Sequence, residues 1–285
     1  MADDTEDSLT LSADAIAALE EFYTERDAQT EKLEKLRALV VDAVDDDDDD
    51  DGKRRQNGEN EGGGKEPTPE LSIHTFTEDW NESQFWYSDE TANLLANQLL
   101  EGTSDDSVVA VVSTPSVFVA LKKIMAAAEY TGPKPKAYLL EHDYRFAVFP
   151  EFVFYDFAHP FKLPAHLKGT VDRMICDPPF LSDDCQTKMA MTLRWLARPR
   201  TTTTIKTSSD SIGLRVLICT GERMEVLVNR LYRPLGVRTT TYEPSHTGLK
   251  NEFLCYANFE CDAWSWKRGD GNGILRDRRL IKRGK

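Results

Sequence analysis

Residues 171–180 read VDRMICDPPF, and this stretch decides the fold. An apolar run, 171–176, ends in a carboxylate, two prolines and an aromatic ring. Proline cannot donate to a sheet ladder and pushes its predecessor toward extended geometry, so Pro178-Pro179 stops a strand. A short apolar strand without alternation is buried on both faces, as in a parallel sheet. Its end delivers Asp177, a rigid turn and Phe180 to one point.

Outward from that strand, residues 71–265 alternate short apolar runs with helical stretches, the signature of an α/β fold. Strands are expected at 107–113, 136–141, 151–157, 173–176, 215–220, 237–242 and 253–259, and helices at 92–100, 116–128, 184–196 and 224–231. Seven strands suit a Rossmann-like sheet. Ser88 is placed to cap the helix that follows it. The Thr- and Ser-rich stretch 199–213 reads as a surface insertion.

Upstream, residues 9–44 carry Leu11, Ile16, Leu19, Phe22, Tyr23, Leu33, Leu36, Leu39 and Val40 near helical spacing. Ser12 is a candidate cap, with Leu11 and Ile16 as a hydrophobic staple, so an added N-terminal helix spans 1–44. Residues 45–70 hold seven consecutive Asp, Lys53-Arg54-Arg55 and a Gly triplet, too little apolar surface to offset ordering entropy; a disordered linker is expected.

Charge is unevenly spread. Residues 1–72 carry 8 Lys and Arg against 23 Asp and Glu, residues 73–265 carry 19 against 24, and residues 266–285 carry 8 against 2. The acidity therefore belongs to the N-terminal quarter, and 266–285 reads as a basic tail. A body with a slight acidic excess and no basic stripe makes nucleic acid a poor partner. No apolar stretch approaches membrane-spanning length, and the acidic start is unlike a signal or transit peptide, so no membrane partner and a cytoplasmic location are expected. Five cysteines without C-x-x-C spacing, three in apolar runs, read as buried reduced thiols rather than metal ligands.

In an open parallel sheet, ligands bind at the carboxyl ends of the strands. Polar residues stand at four of those ends: Ser113, Glu141 with His142-Asp143, Asp156 beside Phe157, and Asp177. A carboxylate after the second strand can accept from both hydroxyls of a ribose. A side chain near the third strand end suits an adenine amine. Ser113-Thr114-Pro115 stands where a glycine-rich turn would let a cofactor approach. At Asp177, an amine needs acceptors for its hydrogens and a flat apolar wall beside it, so that its lone pair is aimed. The set suggests an amino-directed methyltransferase using S-adenosylmethionine.

Taken in order, SQFWYSDETA (83–92), VVSTPSVFVALKK (111–123), LLEHDYRF (139–146), FVFYDF (152–157), CDPPFLSDDC (176–185), VLICTG (216–221) and EPSHTGLKNEFLCYANFE (243–260) resemble the elongation factor 1-alpha lysine methyltransferase family. The family was formerly grouped with adenine-specific methyltransferases through the shared Asp-Pro-Pro-aromatic turn. The resemblance implies a seven-stranded class I methyltransferase that modifies a lysine of translation elongation factor 1-alpha, the partner expected here. On this reading Asp177 and the Pro178 carbonyl accept hydrogens from the target amine, and Phe180 walls the lysine stem. Trp86 and Tyr87 close over the donor. His246, Asn251 and Glu252 are candidates for the substrate side, outside the catalytic set. Two alternatives are a nucleic-acid adenine methyltransferase, with a flipped base on Phe180, and a non-catalytic protein that binds a translation factor.

Overall fold

A computed structural model describes residues 72–76, 84–199, 213–247 and 252–267, together with Thr24. The expected N-terminal helix, the acidic linker, residues 200–212 of the insertion, Asn251 and residues 268–285 of the tail lie outside the described residues. Two units are present. In the smaller, Ser72 caps the 3-10 turn Ile73–Thr75, and Phe76 stacks on Phe146 with ring centroids 4.4 Å apart.

The larger unit is a seven-stranded sheet. Its strands are β1 Val108–Val112, β2 Lys136–Glu141, β3 Phe152–Phe154, β4 Arg173–Cys176, β5 Arg215–Gly221, β6 Arg238–Thr239 and β7 Phe253–Ala257. Their order is β3-β2-β1-β4-β5-β7-β6. The first five are parallel, and β7 runs antiparallel between β5 and β6. This is the expected Rossmann-like class I arrangement. Every expected strand is present, with four of them shortened: those expected at 107–113, 151–157, 237–242 and 253–259. β3 stops at Phe154; Tyr155 N still bonds to the Glu141 carbonyl at 2.9 Å, and the chain then enters a turn in which the Asp156 carbonyl accepts from His159 N at 2.9 Å. β6 stops at Thr239 because the next residue makes a lone bridge to Trp266, while its hydroxyl turns to the Cys255 carbonyl.

Four helices flank the sheet: α1 Asp89–Leu100, α2 Pro115–Ala126, α3 Asp183–Leu196 and α4 Glu225–Leu231. Ser88 caps α1 by accepting from Thr91 N, and Asp89 and Glu90 add favourable charge to its first turn. Leu95, Ala96 and Leu99 bury one face of that helix. Ser182 caps α3 in the same way, directly after the Asp-Pro-Pro-Phe turn. Among the described residues no helix is long and apolar enough to cross a membrane.

Register does the positioning. Val112 lies opposite both Leu140 and Cys176, and Cys176 lies opposite Ile218. The next residues, Ser113, Glu141, Asp177 and Cys219, therefore share one row across β2, β1, β4 and β5. From β1 the chain proceeds to the β2 side and from β4 to the β5 side, so this row crosses the switch point of the sheet, where a crevice opens. The opposite, amino ends are closed. There the buried Arg173 donates to the carbonyls of Gly102, Asp172 and Gly213, and Arg215 pairs with Glu101 at 3.0 Å.

Candidate active site

At the end of β4 the backbone N–H of Asp177 still bonds to the Val112 carbonyl, at 3.2 Å. Its side chain therefore emerges at a fixed point beside β1. Oδ2 accepts the hydroxyl hydrogen of Tyr87 at 2.6 Å, across 90 residues of sequence. Burial pushes the Asp177 carboxyl up to about 7, the nearby Glu141 charge adds to the rise, and the Tyr87 hydrogen bond opposes it. Burial and the Asp177 charge raise the Tyr87 phenol well above its ordinary range, so it stays a donor.

The segment carrying Tyr87 spans several strand ends. Gln84 donates to Asp143 after β2 at 2.9 Å, the Trp86 carbonyl accepts from Thr247 N, and Ser88 N donates to Ser245 O. Trp86 and Tyr87 are both buried. The Tyr87 ring lies 4.5 Å from His246, which meets Phe253 edge-on at 4.7 Å. Tyr87 thus reaches the motif carboxylate itself, a contact absent from the sequence reading. His246, set aside there, is its neighbour; Glu252 is exposed, its carbonyl accepting from Glu222 N.

After β1, Ser113 adopts φ 54°, the left-handed conformation glycine supplies at no steric cost. The missing glycine-rich turn is therefore replaced by a serine in a glycine-like conformation, a form of strain that gathers at functional sites. Thr114 follows as the cap residue of α2. Its Oγ1 is buried with no hydrogen-bond partner among the described residues. A buried hydroxyl left unpaired at the crevice fits a polar group of a bound cofactor. Glu141 ends β2 nearly buried, and its Oε1 accepts the backbone N–H of His142 at 2.8 Å and of Asp143 at 3.2 Å. That fixes the carboxylate.

Asp156 lies two residues past β3, in a turn where it accepts from Ala158 N at 2.8 Å and meets His159 Nδ1 at 2.7 Å. Burial alone would raise its pKa; these bonds outweigh it and the value is lowered. Phe157 meets Phe180 at 5.6 Å, ring edge to face, with Lys188 Nζ 5.9 Å over Phe157. Pro178 is buried, while Phe180 is 40% exposed, so its ring borders the open mouth. The next residue is held too: a Cβ on Gly221 would stand 2.8 Å from Leu181 Cδ1, so glycine there gives Leu181 its space.

The structure thus brings Tyr87, Ser113, Glu141 and Asp177 to the crevice and pairs Phe157 with Phe180. Sequence reasoning missed Thr114 and Cys219. Cys219 borders Asp177 by register. The signal was present, since the apolar run of β5 is as long as its neighbours and aligns with them.

The model of the family described as "Probable N6-adenine methyltransferase" matches residues 78–261. The chain belongs to this family. Similar proteins include the protein-lysine N-methyltransferase EFM5 of Saccharomyces cerevisiae, 40% identical over 261 residues, covering 90% of this chain and 94% of that protein. The EEF1A lysine methyltransferase 1 of Gallus gallus is 34% identical, covering 91% and 98%. Its Homo sapiens counterpart is 34% identical, covering 90% and 96%. This member of the probable N6-adenine methyltransferase family is therefore similar to lysine methyltransferases along most of its length. Family and fold together imply use of S-adenosylmethionine.

Proposed function

We propose that the chain is an S-adenosylmethionine-dependent protein-lysine N-methyltransferase acting on translation elongation factor 1-alpha. The observation that carries the reading is similarity over 90–91% of the chain to relatives named as lysine methyltransferases, at 34–40% identity. The Asp177 site supplies the chemistry.

A lysine ammonium has no free lone pair until a proton leaves. Once that proton has left to solvent, Asp177, partly ionised near neutral pH with its pKa pushed up to about 7, accepts a hydrogen bond from the amine in its charged form. Oδ2 is occupied by Tyr87, so the other oxygen meets the amine. The Pro178 carbonyl accepts a second hydrogen, and the lone pair then points one way. Phe180 lies along the lysine stem and favours the entering cation through its face. S-adenosylmethionine, when bound, supplies an activated methyl group. Glu141 would hold its ribose hydroxyls, Ser113 and Thr114 its polar groups at the end of β1, and Asp156 and Phe157 its adenine. Trp86 covers it.

The family description favours one second reading, methylation of adenine. The relatives' names and the slightly acidic body weigh against it. The two separate in one experiment. Labelled methyl from S-adenosylmethionine is offered to an extract lacking this protein, with wild type or Asp177→Asn added. Protease-sensitive label in one band, identified as elongation factor 1-alpha and absent with the variant, is expected. Nuclease-sensitive label would replace the lysine reading.

A further inference from the structure

We propose that Tyr87 is a positioning residue for methyl transfer: its hydroxyl holds Asp177 Oδ2 from inside the fold and leaves the carboxylate one oxygen, in one orientation, for the target amine. The inference rests on the lysine methyltransferase reading of the same site. Among the described residues the hydrogen bond made by the Asp177 side chain is the one from Tyr87 to Oδ2, at 2.6 Å. A carboxylate anchored at one oxygen cannot rotate freely, so the remaining acceptor is pre-aimed.

Tyr87 is itself fixed on every side. It forms an antiparallel bridge with His246, flanked by the bonds from Ser88 N to Ser245 O and from Thr247 N to Trp86 O. Only 1% of its surface is exposed. A phenol has one hydrogen, and here it goes to Asp177. Cys219, next to Asp177 in the row of strand ends, lies opposite Cys255 across the β5–β7 pair.

The groups facing Asp177 are Glu141 from β2, Cys176 from its own strand, Cys185 from α3, Cys219 from β5 and Tyr87, with His246 behind the Tyr87 ring. Among the described residues Tyr87 is the group that donates to the Asp177 side chain. Tyr87→Phe keeps the ring and its packing and removes that donor. The carboxylate then loses both its alignment and the bond that favours its charged form.

The test uses the full chain, labelled S-adenosylmethionine and elongation factor 1-alpha as acceptor, with kcat and KM followed across about pH 5.5 to 9. For Tyr87→Phe, kcat at neutral pH should fall about tenfold or more, with KM for the donor within about twofold. The acid limb of kcat should move up by about one pH unit. A merely structural tyrosine would not move that limb. A superimposable profile, or a loss confined to the KM of the donor, overturns the proposal. A second measurement needs no turnover. Carboxyl-13C aspartate labelling, with Asp177→Asn assigning the resonance, reads the Asp177 titration midpoint directly. In Tyr87→Phe it should rise from its wild-type position near 7, and an unmoved midpoint overturns the inference. Should wild type methylate nothing in the elongation factor, the lysine reading fails while this titration still decides the role of Tyr87.

Discussion

Replacing Asp177 by Asn should abolish methyl transfer and yet stabilise the protein above neutral pH. The Asp177 carboxyl, ordinarily near 3.8, is pushed up to about 7, first by burial and then by the Glu141 charge. Between these values the folded protein keeps a proton that the unfolded chain releases, so stability falls as pH rises from about 4 to about 7 and is flat above. At about 1.4 kcal/mol per pH unit, the full loss is about 4 kcal/mol. Partial solvent access reduces it to about 2 to 3 kcal/mol. Asparagine carries no charge, and its carbonyl oxygen can still accept from Tyr87, so it escapes this loss. For a body of this size each kcal/mol moves Tm by about 2 to 4 °C. Thermal melts of wild type and Asp177→Asn, at about pH 4 and pH 8, should therefore nearly coincide in acid and separate by about 5 to 10 °C in base, the variant melting higher. Other titrating groups are common to both proteins and cancel. A gap that does not change with pH, or a variant melting lower at pH 8, would refute the claim that Asp177 is held in an environment hostile to its charge.

Three further outcomes follow from the site. Ser113→Gly should stabilise the protein by about 0.5 to 1 kcal/mol in urea denaturation, because glycine accepts φ 54° without strain, whereas Ser113→Val should cost about 1 to 3 kcal/mol. Gly221→Ala should cost about 1 to 3 kcal/mol and lower kcat, since the new methyl displaces Leu181, which follows Phe180 in the active turn. Binding of the acceptor near pH 6.5 should release a proton, because an incoming ammonium draws Asp177 into its charged form; calorimetry in buffers of different ionisation enthalpy measures it, and zero proton release would separate Asp177 from the amine.

Much of the fold was legible because a parallel sheet writes itself as apolar runs. Arg173–Cys176 and Lys136–Glu141 coincide with their expected limits, since each is bounded by a polar or proline residue. Helix α1 begins at Asp89, three residues before the apolar pattern does, and the capping signal at Ser88 locates its start better than periodicity. Residues 155–157 looked like continued strand because Tyr155 is apolar enough to extend the run. The chain instead leaves the sheet one residue later, in the turn that Asp156 closes by accepting from Ala158 N and His159 N. For the site, the strand-end residues Ser113, Glu141 and Asp177 were visible and their common row follows from register. The Tyr87–Asp177 bond was not, because only the tertiary fold brings an upstream segment over the end of β4. Nor does a serine codon announce a left-handed backbone; the strain at Ser113 belongs to the structure alone.

The state of Asp177 also bears on which amine the site accepts. Both a lysine and an adenine amino group need their hydrogens accepted, and both would find a flat wall in Phe180, so the Asp-Pro-Pro-Phe turn alone does not separate them. Charge does. An adenine arrives neutral and leaves Asp177 beside Glu141 with uncompensated negative charge, in a place where burial already penalises ionisation. A lysine arrives as a cation, offsets that charge, and favours the ionised carboxylate that must accept its hydrogen. A cationic substrate adds to the offset that the donor's own sulfonium would supply. The carboxylate, its like-charged neighbour and the single donor holding it in place form a set that is costly without a lysine and matched with one.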